Sequence, residues 1–416
     1  MSAAVLPVEG ASIVFNEAAG EAYTADMAAI LSDAAFAEAL STISAWPGYA
    51  PTPLVDLPGL AAELGVGRLL LKDEGGRFGL GSFKALGGAY AVFRLIAGRL
   101  AGESCRSVGL ADVGSEAFRT CAAAMTVTSA TDGNHGRSVA WGAKLFGARC
   151  VIFIHRTVSE GRKAAIEAFG AEVRRTDGNY DDSVREAEET AAREGWQVVS
   201  DTSYPGYRDV PKFVMQGYEV MAAEAAEQIG EPATHVFLQT GVGGMAAAVA
   251  ALLWRRATAR GAKRAKVILA DPAAADCWYE SIAAGRPVAV GGDLDTMMAG
   301  LACGEVSELA WEVLASGCDA VVRLPDAGAL AAMRLLADGR FGDRPVVAGE
   351  SAVAGLAALA AVAADPGART RLGLGPTSRV LLFGTEGDSD PVLYEEIVGR
   401  SGASVRAAAQ AWRSPS

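Results

Sequence analysis

Thr126-Val127-Thr128-Ser129-Ala130-Thr131-Asp132-Gly133-Asn134-His135-Gly136-Arg137 opens a stretch, running through Ile154, on which the reading of the fold turns. Thr126–Ala130 is a short β-prone run, Gly133 and Gly136 mark a turn, and His135–Phe146 follows with helical spacing. Gly147 then ends the helix, and Cys150–Ile154 is apolar without alternation. An apolar run of that kind suits a strand buried on both faces, as in a parallel sheet, and strand, helix, strand in succession is the βαβ unit. Outward from this stretch the pattern repeats. Further strands are expected at Arg68–Leu71, Glu172–Arg175, Gln197–Ser200, His235–Gln239, Lys266–Ala270, Ala320–Leu324 and Arg379–Phe383. Helices are expected at Phe83–Ala97, Val158–Ala168, Asp181–Glu194, Tyr207–Gln228, Gly244–Arg255 and Gly349–Ala363, with Ser82 and Asp181 as capping residues. Such mixing of strands and helices along the chain predicts an α/β protein built on open, mostly parallel sheets.

At 416 residues the chain has room for two or three domains. Its 51% hydrophobic content excludes a disordered chain, and no apolar run reaches the ~18 residues of a membrane span. Met1–Gly10 has no basic segment and carries Glu9, so no export signal is expected and the protein reads as cytoplasmic. The net charge of −12 repels polyanions, so neither nucleic acid nor an anionic membrane is an expected partner. Six cysteines without CxxC spacing and three scattered histidines give little material for a metal cluster. The stretch Ala101–Ala122 reads as a polar, irregular insertion, Thr202–Pro211 as a return crossing, and the chain after Asp390 as one last helix and a tail.

Four segments carry chemistry. In Gly79-Leu80-Gly81-Ser82-Phe83-Lys84-Ala85-Leu86-Gly87-Gly88 a lone lysine sits at a helix start among apolar residues, a setting that favours the neutral amine needed for Schiff-base chemistry. By itself it also suits a surface lysine. Thr131–Arg137 lies where a strand's carboxyl end meets a helix, the usual ligand position in an open sheet. There Asn134 can bond a ligand oxygen and Asp132 can move a proton, although an Asp-Gly-Asn turn alone explains the residues as well. Gly241-Val242-Gly243-Gly244-Met245 follows a strand and opens a helix, so its backbone N–H groups can face one anion. The G-x-G-x-x-G spacing of a dinucleotide site is absent, which favours a single phosphate. Last, Thr385-Glu386-Gly387 follows the final strand and offers a neutral hydroxyl to a ring nitrogen, or merely a polar turn.

Taken in order, these segments resemble the tryptophan-synthase-β-like enzymes, fold type II of the pyridoxal-phosphate superfamily. Within them the chain resembles the diaminopropionate ammonia-lyase family through RFGLGSFKALGG (77–88), ATDGNHGRSVAWGAKLFGA (130–148), DTSYPGYRDVPKFVMQGY (201–218), VVAGESAVAGL (346–356) and TEGDSDP (385–391). The likeness spans Trp46 to Val398. It implies two open, twisted, mostly parallel sheets flanked by helices, with the cofactor between a large domain (1–96 plus 214–416) and a small one (97–213). It also implies pyridoxal 5′-phosphate as cofactor and a homodimer.

Position by position, the resemblance makes Lys84 the Schiff-base lysine, sets Asn134 at the cofactor's 3-oxygen, and makes Gly241, Val242, Gly243, Gly244 and Met245 the phosphate cup. Thr385 would face the pyridine nitrogen, Asp132 and Asp201 would be the acidic groups of the substrate side, and Tyr180 a site tyrosine. The reaction implied is α,β-elimination of D- or L-2,3-diaminopropionate to pyruvate and two ammonia. Lys84 and Asp132 would be bases on opposite faces, and Asp132 or Asp201 would recognise the β-ammonium. A serine or threonine dehydratase is the alternative, but those enzymes usually have Ser or Ala where Asp132 stands; a non-catalytic cofactor-binding protein would not need Lys84. The segment Leu100–Met125 is longer and more polar than the family pattern. Cys277 and Cys303 bracket the site region and are the first pair to examine for a disulfide.

Overall fold

Eleven strands lie in two sheets in the computed structural model, which describes residues 5–131 and 133–413, with the backbone alone at residue 181. In chain order they are β1 (Ser12–Phe15), β2 (Leu54–Asp56), β3 (Arg68–Asp73), β4 (Thr126–Ala130), β5 (Arg149–Ile154), β6 (Glu172–Arg175), β7 (Gln197–Val198), β8 (His235–Gln239), β9 (Lys266–Pro272), β10 (Ala320–Leu324) and β11 (Arg379–Gly384). One sheet has the order β1-β10-β9-β8-β11-β3-β2 and the other β6-β5-β4-β7. The second is wholly parallel, and the first is parallel except for its two edges, where β1 runs antiparallel to β10 and β2 to β3. Every strand expected from the sequence is present. The two that were not expected, β1 and β2, are those short antiparallel edges, which need no continuous apolar run because one side of each is open.

The chain divides into two compact units, one of Met1–Ile30, Pro51–Gly76 and Met221–Ser416, the other of Leu31–Ala50 and Arg77–Val220. The passage into the second unit thus comes at Arg77, ahead of the lysine helix, whereas the expected boundary at residue 97 cut through it. Packing explains the difference. The helix Lys84–Ser104 lies along the helix Asn134–Phe146, close enough that a Cβ on Gly142 would sit 2.6 Å from the Ala89 Cα. An aromatic group of Trp46, Phe78, Trp141 and Phe146 ties the segment Leu31–Ala50 to the same unit, with ring centroids 4.8–6.0 Å apart.

In the first unit the central strands are buried along nearly their whole length, as a sheet covered on both faces requires. Leu69, Leu71, Phe237, Ile268, Val322 and Val380 form its core with the helix Ala354–Ala364, whose sides are apolar all round because it is buried all round.

Several local expectations are corrected. Ser82 caps nothing: it is buried, and the lysine helix starts after Phe83 with no side-chain cap. The helix Tyr180–Glu194 is capped by Asn179, whose Oδ1 accepts from the Asp182 N–H at 3.0 Å while the Asp182 carboxylate accepts from the Asn179 N–H at 2.9 Å. Residues 101–122 are largely helical, since the lysine helix continues to Ser104 and Ser115 caps a further helix, Glu116–Ala123, that buries Phe118 and Cys121. Two helices, Pro391–Val398 and Gly402–Ala411, follow Asp390, where one was expected. The apolar stretch from Ala25 to Ser44 breaks after Ile30, and Ser32 caps its second helix.

Candidate active site

In the second unit, β4 and β7 are parallel neighbours, so the loops leaving their carboxyl ends lie side by side. The first loop leads to Asn134 and His135, and the second carries Asp201. Lys84, the first residue of its helix, reaches the same place. Its Nζ lies 2.6 Å from Asp201 Oδ2, and each side chain keeps about a fifth of its surface exposed (21% and 22%). The apolar setting expected around the amine is supplied by Phe83 and Tyr218, whose ring centroids lie 5.4 and 6.0 Å from Nζ. The carboxylate beside it was not foreseen from the helix start alone, and it pairs the lysine as an ammonium.

Burial works to raise the pKa of Asp201, but the Lys84 ammonium beside it outweighs this and holds the carboxyl well below the usual carboxylate range. Tyr207 pins this segment: its hydroxyl donates to the Val198 carbonyl at 2.9 Å and accepts from the Ser200 N–H at 3.0 Å. His135 is buried. Its Nε2 lies 2.8 Å from the Val199 carbonyl, and its Nδ1 is 3.9 Å from Asp201 Oδ2.

Asn134 opens its helix half-buried at the carboxyl end of β4. Tyr180 starts the helix after β6, is 43% exposed, and meets the His155 ring edge-on. Asp132 lies outside the described residues. Site residues that the sequence reading missed here are His135, Tyr207 and Tyr218. Only His135 had a local signal, its place inside the TDGNHG turn.

The first unit holds the glycine loop and the threonine. Gly243 adopts a left-handed φ of +96° as the residue before the helix Gly244–Ala259, and the Trp278 ring stands where its Cβ would be, so only glycine fits. Two loop carbonyls are tied back into the protein, that of Gly241 by the Trp278 indole N–H at 3.0 Å and that of Val242 by the Ser307 N–H at 2.9 Å. That orientation leaves the loop's N–H groups and the first N–H groups of the helix for an anion. The donor set therefore fits a phosphate held without a basic side chain.

Behind the loop, Asp271 accepts from the Trp278 and Tyr279 N–H groups at 2.9 and 3.0 Å and from the Thr240 hydroxyl. Burial pushes this carboxyl up to about 7, against those hydrogen bonds. Cys277 and Cys303 both border Gly241, and no disulfide joins the pair singled out from the sequence. Thr385 is buried at the end of β11, where the Gln239 amide nitrogen donates to its Oγ1 at 2.7 Å and to the Phe383 carbonyl at 2.8 Å.

Comparison with known proteins agrees with this chemistry. The family "Pyridoxal-phosphate dependent enzyme" matches residues 45–381. Diaminopropionate ammonia-lyase of Escherichia coli K12 is 41% identical over 361 residues, covering 84% of this chain and 88% of that protein. The enzyme of the same name from Salmonella typhimurium LT2 is 38% identical over 367 residues, covering 85% and 90%. A crystal structure of the Escherichia coli enzyme, in complex with an aminoacrylate-PLP azomethine reaction intermediate, superposes with a TM-score of 0.83 at 37% identity, over 95% of this chain and 98% of that one.

Proposed function

The chain belongs to the diaminopropionate ammonia-lyase family of pyridoxal-phosphate dependent enzymes, and on that premise we propose that it converts 2,3-diaminopropionate, D and L isomers alike, to pyruvate and two ammonia. The observation that carries the reading is the Lys84–Asp201 pair at 2.6 Å: an amine able to bond an aldehyde, beside a carboxylate held ionised. When bound, pyridoxal 5′-phosphate supplies a covalent anchor for the substrate's α-amine and a sink for the electrons left at Cα.

The protein's own residues do the rest. Lys84 carries the cofactor and, once displaced, serves as the base on one face of Cα. Asp132 is the base for the opposite isomer, whose Cα proton points to the other face. Asp201 pairs with the substrate's β-ammonium after Lys84 has given up its charge. Serine and threonine bring no such charge, which disfavours the dehydratase reading. Gly241, Val242, Gly243, Gly244 and Met245 hold the phosphate, Asn134 the 3-oxygen, and Tyr180 takes part on the substrate side. Because Thr385 Oγ1 accepts from Gln239, its own hydrogen is left to donate to the ring nitrogen. We further propose a cytoplasmic homodimer, for which light scattering should give twice 42.7 kDa.

Pyruvate release should be measured on D- and L-2,3-diaminopropionate and on D- and L-serine. Both diaminopropionate isomers should be the better substrates, and faster turnover of either serine would sink the assignment. Asp132→Asn should cost the D isomer roughly 10- to 100-fold in kcat, about 1.4–2.7 kcal/mol, and the L isomer much less. A loss shared equally by the two isomers would remove Asp132 as the second base.

A further inference from the structure

Lys84 and His135 both approach Asp201 Oδ2, at 2.6 and 3.9 Å, and the histidine's part of that contact is incomplete. A carbonyl can only accept, so His135 Nε2 carries the hydrogen that bonds Val199 O at 2.8 Å. In the neutral ring Nδ1 is then a bare lone pair. It is buried, has no hydrogen-bond partner among the described residues, and lies 3.9 Å from Asp201 Oδ2, itself an acceptor. Two acceptors side by side in a buried site are complementary only when a proton stands between them. While Lys84 is an ammonium, it satisfies Asp201 and the ring stays neutral.

We propose that His135 is the proton acceptor through which Lys84 is made neutral, with Asp201 as the bridge. An ammonium is neither nucleophile nor base, so Lys84 must lose one proton before it can bond an aldehyde carbon or take a proton from Cα. In the transfer an N–H bond breaks at Nζ and an O–H bond forms at Asp201 Oδ2. That O–H bond then breaks as an N–H bond forms at Nδ1, after the carboxylate turns about its Cβ–Cγ bond to close the gap. The site begins as ammonium, carboxylate and neutral imidazole and ends as amine, carboxylate and imidazolium. Charge and electrons are conserved, and a carboxylate–imidazolium pair replaces the carboxylate–ammonium pair.

Among the described residues, the other ionisable groups facing the three are Tyr207, beside Asp201, and Tyr218, beside Lys84 and Asp201. Burial pushes both phenols up, so they stay protonated and do not compete for the proton. Burial likewise lowers the His135 pKa while Lys84 is charged, with Asp201 pulling the other way. The inference rests on the reading above for the role of Lys84; the coupling of His135 to Lys84 belongs to the chain without cofactor.

The chain has three histidines, so selective ¹⁵N labelling of the imidazoles resolves His135 in the full-length protein. Cofactor-free protein should show His135 neutral at pH 7 with its hydrogen on Nε2. In Lys84→Met, Asp201 loses its ammonium and His135 should titrate at least about one pH unit higher. An unmoved His135, or a hydrogen on Nδ1 in the native chain, would overturn the proposal.

A second variant, His135→Gln, can still donate to Val199 O but cannot take a proton. With added pyridoxal 5′-phosphate it should develop the visible band of lysine-bound cofactor about tenfold or more slowly at pH 7, and recover near pH 9, where solvent removes the proton. Equal rates for native and variant protein at pH 7, or a deficit that persists at high pH, would show a merely structural ring and sink the idea. If Lys84→Met kept the visible band, the assigned role of Lys84 would fail instead, and the two failures are told apart.

Discussion

Two lysines make almost identical ion pairs in this protein, in opposite surroundings. Lys72, on β3, lies 2.7 Å from Glu224 Oε2; Lys84 lies 2.6 Å from Asp201 Oδ2. Lys72 is sealed, with 0% of its side chain exposed and 4% of its partner's. Its ammonium donates further to the Thr52 carbonyl at 2.7 Å and to Gln228 Oε1 at 2.9 Å, which uses all three of its hydrogens, while the Thr52 N–H bonds the Glu224 carboxylate at 3.1 Å. Such a saturated pair has no vacancy for a ligand and no route for a proton. Around Lys84 the reverse holds: both partners keep a fifth of their surface open, and the neighbouring ring nitrogen waits for a hydrogen. Distance alone therefore does not tell the two pairs apart; saturation and access do.

The sharpest way to break this contrast is to remove each lysine. Lys84→Ala should abolish the visible band and cost at least about a thousandfold in turnover, ~4 kcal/mol of barrier, with a smaller loss of stability than at Lys72 because Asp201 keeps about a fifth of its surface open (22%). A variant that kept a tenth of the rate and the band would dismiss Lys84 from its role. Lys72→Met should do the opposite. It strands the Glu224 carboxylate in the interior and should cost about 3–5 kcal/mol of stability, while kcat per folded molecule stays near native. The double variant Lys72→Met/Glu224→Leu should recover much of that loss, since a packed apolar pair replaces an orphaned charge. Denaturant melts alongside rates decide it, and a Lys72→Met protein that is fully stable but inactive would invert the comparison.

This contrast also shows where the sequence was readable and where it was not. GSFK announced Lys84 because a lysine among glycines at a helix start is locally unusual. Nothing local distinguished the 72nd residue as buried; its partners lie 20 to 156 positions away. The interior strands were legible because burial on both faces writes a continuous apolar run, and β1 and β2 were not, being short edges. Ser82 and Asp181 failed as caps because cap residue types also occur one or two positions inside or outside a helix end, and only backbone geometry tells which one serves. The contact of His135 with Asp201 arises from the parallel pairing of β4 with β7, which brings Asp201 to it from 66 positions away. That juxtaposition exists only after folding.

The smallest expected effect asks whether either lysine pair shapes stability near neutral pH. Asp201 has its pKa depressed, so the stability it contributes is present above the ordinary aspartate value and is lost only as pH falls through the strongly acid range. It adds no slope between pH 6 and 8. Asp271 behaves oppositely. Its folded pKa is raised from 3.8 to about 7, so its favourable contribution is complete below 3.8 and is lost as pH rises through 7. Asp73, raised by burial to about 6, completes the same loss earlier. Between pH 6.5 and 8, therefore, stability should fall by on the order of 1 kcal/mol, about one degree of melting temperature for a chain of this length, and the cause should sit behind the glycine loop rather than at Lys84. Asp271→Asn keeps an oxygen for the Trp278 and Tyr279 N–H groups but cannot ionise, and it should flatten the curve over that interval. Asp201→Asn should leave the slope as it is. If the slope survived in Asp271→Asn and vanished in Asp201→Asn, the reactive pair would be setting stability as well as chemistry, and the division between the two lysines would not hold.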